Sequence, residues 1–333
     1  MCFRTYQVRL TPMILEFNML RNIFLNSVEV RLRAGWRLLL FLLAVPAIMR
    51  LLDLALRPLF GGSLENDTIN WVFRGILVVI GVTLIVWIFR RFIDQKSFVS
   101  LGLRFDRLAI WDLLAGFVLS GIMVGLVFAL LIAFGMLEIE EIGWTSNRFL
   151  SILEILLLLF GIGLAVGYSE ELGFRGYILQ NLGEGIGLVW AIVISCILYG
   201  LMHMPNPNST LLSGVLIAFL GFLRIFGWLR TGQLWLPIGM HAGWNFFQGP
   251  IFGFSVSGLE SQSLVKHTIS GPEWLTGGSF GPEAGLVVVP LVLLALTVMF
   301  LWTASRDDTP WNRQRNRDGH SIAAARARIS ELE

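Results

Sequence analysis

The sequence predicts an all-α fold: a polytopic membrane helical bundle of about eight transmembrane helices with both termini cytosolic. Three observations carry that prediction. Only 14% of the 333 residues are charged and 55% are hydrophobic. A soluble domain carries roughly 25% charged residues, so this composition belongs to a multi-span membrane protein. Eight apolar runs each approach the ~20 residues that a helix needs to cross a bilayer. None alternates with the two-residue period of a membrane barrel, which leaves helices as the spanning structure. Finally, Arg and Lys gather in alternate loops, as the positive-inside rule requires.

Taken in order, residues 1–35 carry Arg4, Arg9, Arg21, Arg31 and Arg33 among scattered apolar residues. They read as a cytosolic segment with an amphipathic surface helix near 13–33. No cleavable signal peptide is evident, and span one reads as an uncleaved signal anchor. The spans fall at about 36–56, 70–89, 112–136, 149 to the Glu170-Glu171 pair, 187–204, 211–229, 234–252 and 285–304. Basic loops are the N-terminal tail, 90–111, the turn at 230 and the tail from 305. The loops 57–69, 137–148, 205–210 and 253–284 are poor in positive charge. Arg50 and Asp53, at i and i+3 in span one, read as a structural pair inside the bundle. Arg74 can snorkel to the outer interface. Residues 255–284 read as an external loop, and 305–333 as a polar, weakly ordered cytosolic tail. A net charge of +2 offers nothing to nucleic acid, and Cys2 and Cys196 are too few for a disulfide framework.

The chemistry concentrates at Gly167-Tyr168-Ser169-Glu170-Glu171-Leu172-Gly173-Phe174-Arg175-Gly176, between two apolar runs. Ionisable groups there are expensive and mark a functional site. Glu171 and Arg175 stand four apart, so they share a helix face and can pair. Glu170 then points about 100° away, free for chemistry. His203 shares a face with Tyr199, four residues back, and His241 with Asn245, four residues on. His267 and His320 read as incidental.

Gly183-Glu184-Gly185-Ile186-Gly187 looks like a turn between helices. Glu170 lies 15 residues before Gly185 and His203 18 after it, so in an antiparallel hairpin the two fall within about one turn of the same height. A Glu170–His203 contact is therefore expected. His241 is nine residues past Gly232, and its depth matches only if the 176–190 hairpin projects beyond the cytosolic surface.

These residues suit hydrolysis. A Glu in a low-dielectric pocket can take a proton from water, a neighbouring His can assist, and a His with an Asn amide can donate to an oxyanion. Glu170, His203 and His241 also suit a zinc site with an open position, although no His-Glu-x-x-His motif is present. Metal-free and single-metal readings both stay open. Singly, each residue has a bland reading: a solvated helix end, a bundle hydrogen-bonder, interhelical glue. Together those readings require several unrelated costly insertions.

At these residues the sequence resembles the CPBP family of intramembrane proteases, which includes the type II CAAX prenyl endopeptidases and the bacterial Abi proteins. The family pattern is Glu-Glu-x-x-x-Arg, Phe-x-x-x-His and His-x-x-x-Asn. Here it runs Glu170-Glu171 to Arg175, Tyr199 (in place of Phe) to His203, and His241 to Asn245. Ser100-Leu101-Gly102-Leu103-Arg104 is also similar to bacterial members. The resemblance implies a peptidase of a bacterial cell membrane, acting on a membrane-associated peptide or protein from a cavity reached from the cytosolic side. It implies Glu170 as general base, His203 as its helper, His241 and Asn245 on the oxyanion, and Glu171 and Arg175 as support. The implied organisation is a cytosolic segment 1–35, spans one to three in 36–140, a catalytic core in 141–254, the loop 255–284, the last span 285–304 and the tail 305–333. Two rival readings are a non-catalytic immunity or scaffolding protein of the same fold, and a transporter using the Glu–His cluster as a proton relay. The transporter would favour internal repeats, and none is visible.

Overall fold

The computed structural model describes residues 23–26, 31–60, 67–143 and 149–306. The surface helix expected near 13–33, most of the tail and His320 lie largely or wholly outside the described residues. The chain is mostly helical. In order come α1 (Ala34–Phe60), α2 (Asp67–Ile88), α3 (Arg107–Ala133), α4 (Phe149–Glu171), α5 (Leu179–Ile186), α6 (Leu188–Met202), α7 (Leu211–Thr231), α8 (Trp235–Phe246), α9 (Glu273–Thr276) and α10 (Val289–Trp302). A π-helical segment, Leu172–Ile178, joins α4 to α5.

Five stretches are long and apolar enough to cross a membrane: Ala34–Leu59, Val72–Ile93, Arg107–Ala133, Ile155–Ile186 and Leu211–Thr231. Leu188–Met202 and Leu286–Trp302 are shorter apolar helices. The outward faces carry large apolar side chains such as Leu43, Leu51, Ile80, Leu157, Val189 and Leu211. So wide an apolar exterior suits lipid rather than water.

Helix ends follow local chemistry. Asp106 caps α3, accepting the Ala109 N–H at 3.0 Å. Thr210 and Ser213 form a capping box at the start of α7, and Gly232, at φ 67°, ends that helix in the left-handed region where glycine costs least.

The centre of the bundle is α8, held between α3 and α4. Small residues let the backbones approach closely. A methyl on Gly239 would stand 2.0 Å from the Leu113 carbonyl oxygen, and one on Gly167 2.9 Å from the Ala242 nitrogen. Ser120 adds a hydrogen bond from its Oγ to the Met240 carbonyl, 2.7 Å. Met123, Val127, Leu220, Leu236, Trp244 and Val292 fill the main core around this sandwich.

Two small antiparallel pairs depart from the purely helical expectation: β1 (Leu25–Asn26) with β2 (Arg31–Leu32), and β3 (Leu137–Ile142) with β4 (Val265–Ile269). The second joins two segments expected to be loops. The connecting segments divide between two ends of the bundle. At one end β3 pairs β4, and Asn206 Nδ2 donates to the Ser257 carbonyl at 3.0 Å. At the other, the Leu234 N–H donates to the Gly102 carbonyl at 2.8 Å, and Arg31 and Arg37 reach Glu184 at 3.0 and 3.1 Å. Asp94 is fully buried there, bonded by Arg37, Arg90, Tyr177 and Asn181.

Arg50 and Asp53 do pair, at 3.4 Å, but not inside the bundle: the Arg50 side chain is 71% exposed. Arg57 reaches the same carboxylate at 3.2 Å. The two arginines of this ladder are exposed, at 71% and 41%, while the Asp53 side chain is only 14% exposed. Arg74 is exposed and bonded to Asn70, one turn back.

Candidate functional site

The site is built where α4, α6, α7 and α8 meet. Glu171 ends α4 and its side chain is wholly buried. Its Oε1 accepts from Arg175 Nη1 at 3.1 Å and from His241 Nδ1 at 2.9 Å. The expected Glu171–Arg175 pair therefore forms even though the chain between them is π-helical. Arg175 also donates from Nη2 to the Gly221 carbonyl, 3.1 Å, and lies over the Tyr199 ring at 4.2 Å. Arg224 Nε stands 3.8 Å from the same Glu171 oxygen.

Glu170 differs from its neighbour in one respect: its side chain is 25% exposed, against 4% for His241 and 1% for Arg175. Its Oε2 accepts from the Tyr199 hydroxyl at 3.0 Å and stands 3.8 Å from His241 Nε2. A gap of that length between polar groups suits a bridging water.

The Glu170–His203 contact expected from helix heights is not made directly. Tyr199, one turn earlier on α6, takes that place with its hydroxyl. His203 caps the end of α6, turns Nδ1 to the Tyr199 carbonyl at 2.9 Å and packs its ring 4.7 Å from that of Tyr199. A carbonyl only accepts, so Nδ1 carries the proton and Nε2 keeps its lone pair in the neutral ring. The same logic applies to His241, whose Nδ1–H faces a carboxylate. Asn245 is half-buried one turn past His241, its Cβ near Gly163 on α4, and makes no hydrogen bond among the described residues.

His241 reaches Glu171 directly, Nδ1 to Oε1 at 2.9 Å. Leu234, just before α8, meets Gly176.

Two features were not read from the sequence. Arg224 is buried in α7, and its Nη1 donates to the Tyr199 hydroxyl at 3.2 Å. Its signal was present, a cation in an apolar run, but no partner lies one turn away on its own helix. The second is Glu283, in the loop read as merely external. It is buried and accepts from Trp244 Nε1 at 2.8 Å, from Ser257 Oγ at 2.8 Å and from the Ser257 N–H. Phe280 and Ala284 of that loop pack with Tyr199 and Ile217. The loop thus roofs the site.

The zinc alternative meets a donor test. Among the described residues no three His, Cys, Asp or Glu side chains come together to hold a metal ion. Glu170, His203 and His241 do not come together as such a set, although the Nδ1 contacts leave both Nε2 atoms with a lone pair and Glu170 Oε1 without a hydrogen bond among the described residues.

Residues 151–247 match the family model described as type II CAAX prenyl endopeptidase Rce1-like. The chain is 30% identical over 108 residues to the uncharacterized protein YyaK of Bacillus subtilis (strain 168). That stretch is 31% of this chain and 35% of the relative, so the chain spans about a third of the length of the curated relative it matches. No solved structure matches. Every site residue named above except Ser257, Phe280, Glu283 and Ala284 lies inside the matched segment.

Proposed function

Because residues 151–247 carry the Rce1-like match to the type II CAAX prenyl endopeptidases, we propose that this chain is an intramembrane endopeptidase. It hydrolyses a peptide bond of a membrane-associated peptide or protein with a water activated by Glu170. The observation that carries the proposal is the division of labour between adjacent carboxylates. Glu171 is sealed behind Arg175 and His241, whereas Glu170 is 25% exposed beside His241 and the Tyr199 hydroxyl. A sealed acid positions; an open one reacts.

In the proposed reaction Glu170 removes a proton from water as the oxygen attacks the substrate carbonyl carbon. His203 Nε2, with its lone pair, orients that water. The tetrahedral oxyanion is held by the Asn245 amide, a donor in any protonation state, with the His241 ring beside it. The proton held by Glu170 then passes to the departing amine as the C–N bond breaks. Glu171 and Arg175 keep the His241 ring in place. The roof over one end supports substrate entry from the opposite, cytosolic side. The division of loops between two ends supports eight crossings with both termini cytosolic, in a bacterial cell membrane.

The test compares membrane-protein termini in cells making the wild-type chain or Glu170→Ala. New termini made by the wild type should fall by about 10²–10⁴-fold in Glu170→Ala, with the variant still inserted. Undiminished cleavage, or a phenotype indifferent to Glu170→Ala and His203→Ala, overturns the proposal in favour of a scaffolding or immunity role.

A further inference from the structure

We propose that Arg224 is a positioning residue for the Glu170 base, acting through the Tyr199 hydroxyl. The inference deepens the peptidase reading and rests on it.

Arg224 is 5% exposed, in the middle of the apolar helix α7. Its one hydrogen bond among the described residues goes to a phenol, Nη1 to the Tyr199 oxygen at 3.2 Å. Its distance to the Glu171 carboxylate, 3.8 Å, is too long for another. A buried guanidinium bonded to a hydroxyl rather than to an available carboxylate calls for a reason.

Donor and acceptor rules supply it. Guanidinium can only donate, so the phenol oxygen must accept from Arg224. Tyrosine has a single hydroxyl proton, and Glu170 Oε2, 3.0 Å away, takes it. Arg224 thus fixes the direction of the Tyr199 hydrogen bond, and that bond fixes the Glu170 carboxylate. Oε2 is occupied. Oε1 carries no hydrogen bond among the described residues and is left as the oxygen that takes the proton from water. Tyr199 is also where the chain departs from the Phe-x-x-x-His pattern. With Phe there, Arg224 would be buried without a hydrogen bond and Glu170 would lose its donor, so Tyr199 and Arg224 form a matched pair.

The test uses the full chain purified in detergent. One arm measures coupling in apparent melting temperature between Arg224→Met and Glu170→Gln, with Tyr199 and with Tyr199→Phe. Coupling is expected with Tyr199 and should vanish with Tyr199→Phe. No coupling at all, or coupling that survives the loss of the hydroxyl, overturns the proposal. The other arm follows a quenched-fluorescent farnesylated peptide ending in a CAAX sequence. Arg224→Met should lower kcat by up to about a hundredfold, the scale of a misplaced reacting group, with KM unchanged. Arg224→Lys should restore most of it with Tyr199 and none of it with Tyr199→Phe. A loss confined to KM, or Lys rescue without the hydroxyl, overturns the proposal. If Arg224→Met does not fold, Tyr199→Phe alone must lower kcat and make kcat insensitive to Arg224→Lys. A wild type that leaves this peptide intact, or a Glu170→Gln variant that cleaves it as fast as wild type, counts against the peptidase reading. The melting arm still decides the Arg224–Tyr199–Glu170 relay.

Discussion

Glu171 holds the most crowded position in the site, and its neighbours make it the residue whose loss is most costly. Its carboxylate is the direct partner of Arg175 and His241, with Arg224 close behind. Removing one member of a buried pair strands the other charge, which typically costs 3–5 kcal/mol. Glu171→Ala is therefore expected to lower stability by about 3–5 kcal/mol. Glu170→Ala, at a partly solvated position with one hydroxyl partner, should cost about 1 kcal/mol. Chemical unfolding of the two variants in detergent checks the contrast, and equal losses would remove the distinction between a sealed and an open acid. The sequence made this pair legible because the motif is local: Glu171 and Arg175 are one turn apart, and so are His241 and Asn245. Arg224 obeys the same rule of costly intramembrane charge, but its partners sit on α4 and α6. A partner 25 residues away across a helix interface leaves no periodic trace.

At the scale of elements, the long helices were readable because each is an apolar run bounded by turn residues, but Gly183-Glu184-Gly185-Ile186-Gly187, read as a turn, stays helical to Ile186 and breaks only at Gly187, at φ 83°. The β3–β4 pair was not readable, since Leu137-Glu138-Ile139-Glu140-Glu141-Ile142 is short and its partner lies more than a hundred residues on. That pair carries a pH-sensitive group. His267 in β4 lies against the rings of Phe128 and Phe254, at 6.1 and 4.7 Å, and burial holds its imidazole below the usual histidine pKa. The folded loop therefore favours the neutral ring, and protonation favours the opened loop. The stabilisation is complete above about pH 6.5, the unfolded value, and is lost as pH falls below it. Hydrogen exchange at the 265–269 amides, corrected for intrinsic rate, should be faster at pH 5.5 than at 7.5. His267→Leu should flatten the difference. A wild-type strand equally protected at both pH values would contradict this account. Close backbone contacts such as Gly239 on Leu113 were equally hidden, because a glycine in an apolar run announces a small residue but not its neighbour.

For the whole molecule, the number of crossings decides where the roof and the basic loops lie. Five stretches have the length to cross, and five crossings would put the ends of the chain on opposite sides. Eight crossings include the shorter helices Leu188–Met202 and Leu286–Trp302 and the short α8, and put both ends on one side. Two of these are lengthened by irregular turns: α8 continues through Phe247–Ile251, and α10 is preceded by Leu286–Val288. The tie between Arg306 and the buried Asp112 at the start of α3 places the described C-terminal end beside the 90–111 loop. Arg37 and Asp94 place the start of α1 beside the same loop. Both ends of the described chain therefore belong to one end of the bundle, as an even count requires. Single cysteines, with Cys2 and Cys196 replaced, read this out. Gly35→Cys has open space around its Cβ, and Ser305 and Ser261 are exposed. A membrane-impermeant maleimide should label Ser261→Cys in intact cells, but Gly35→Cys and Ser305→Cys only after lysis. Labelling of Gly35→Cys and Ser305→Cys from opposite sides would make the count odd and place the basic loops across the membrane from where the positive-inside rule puts them.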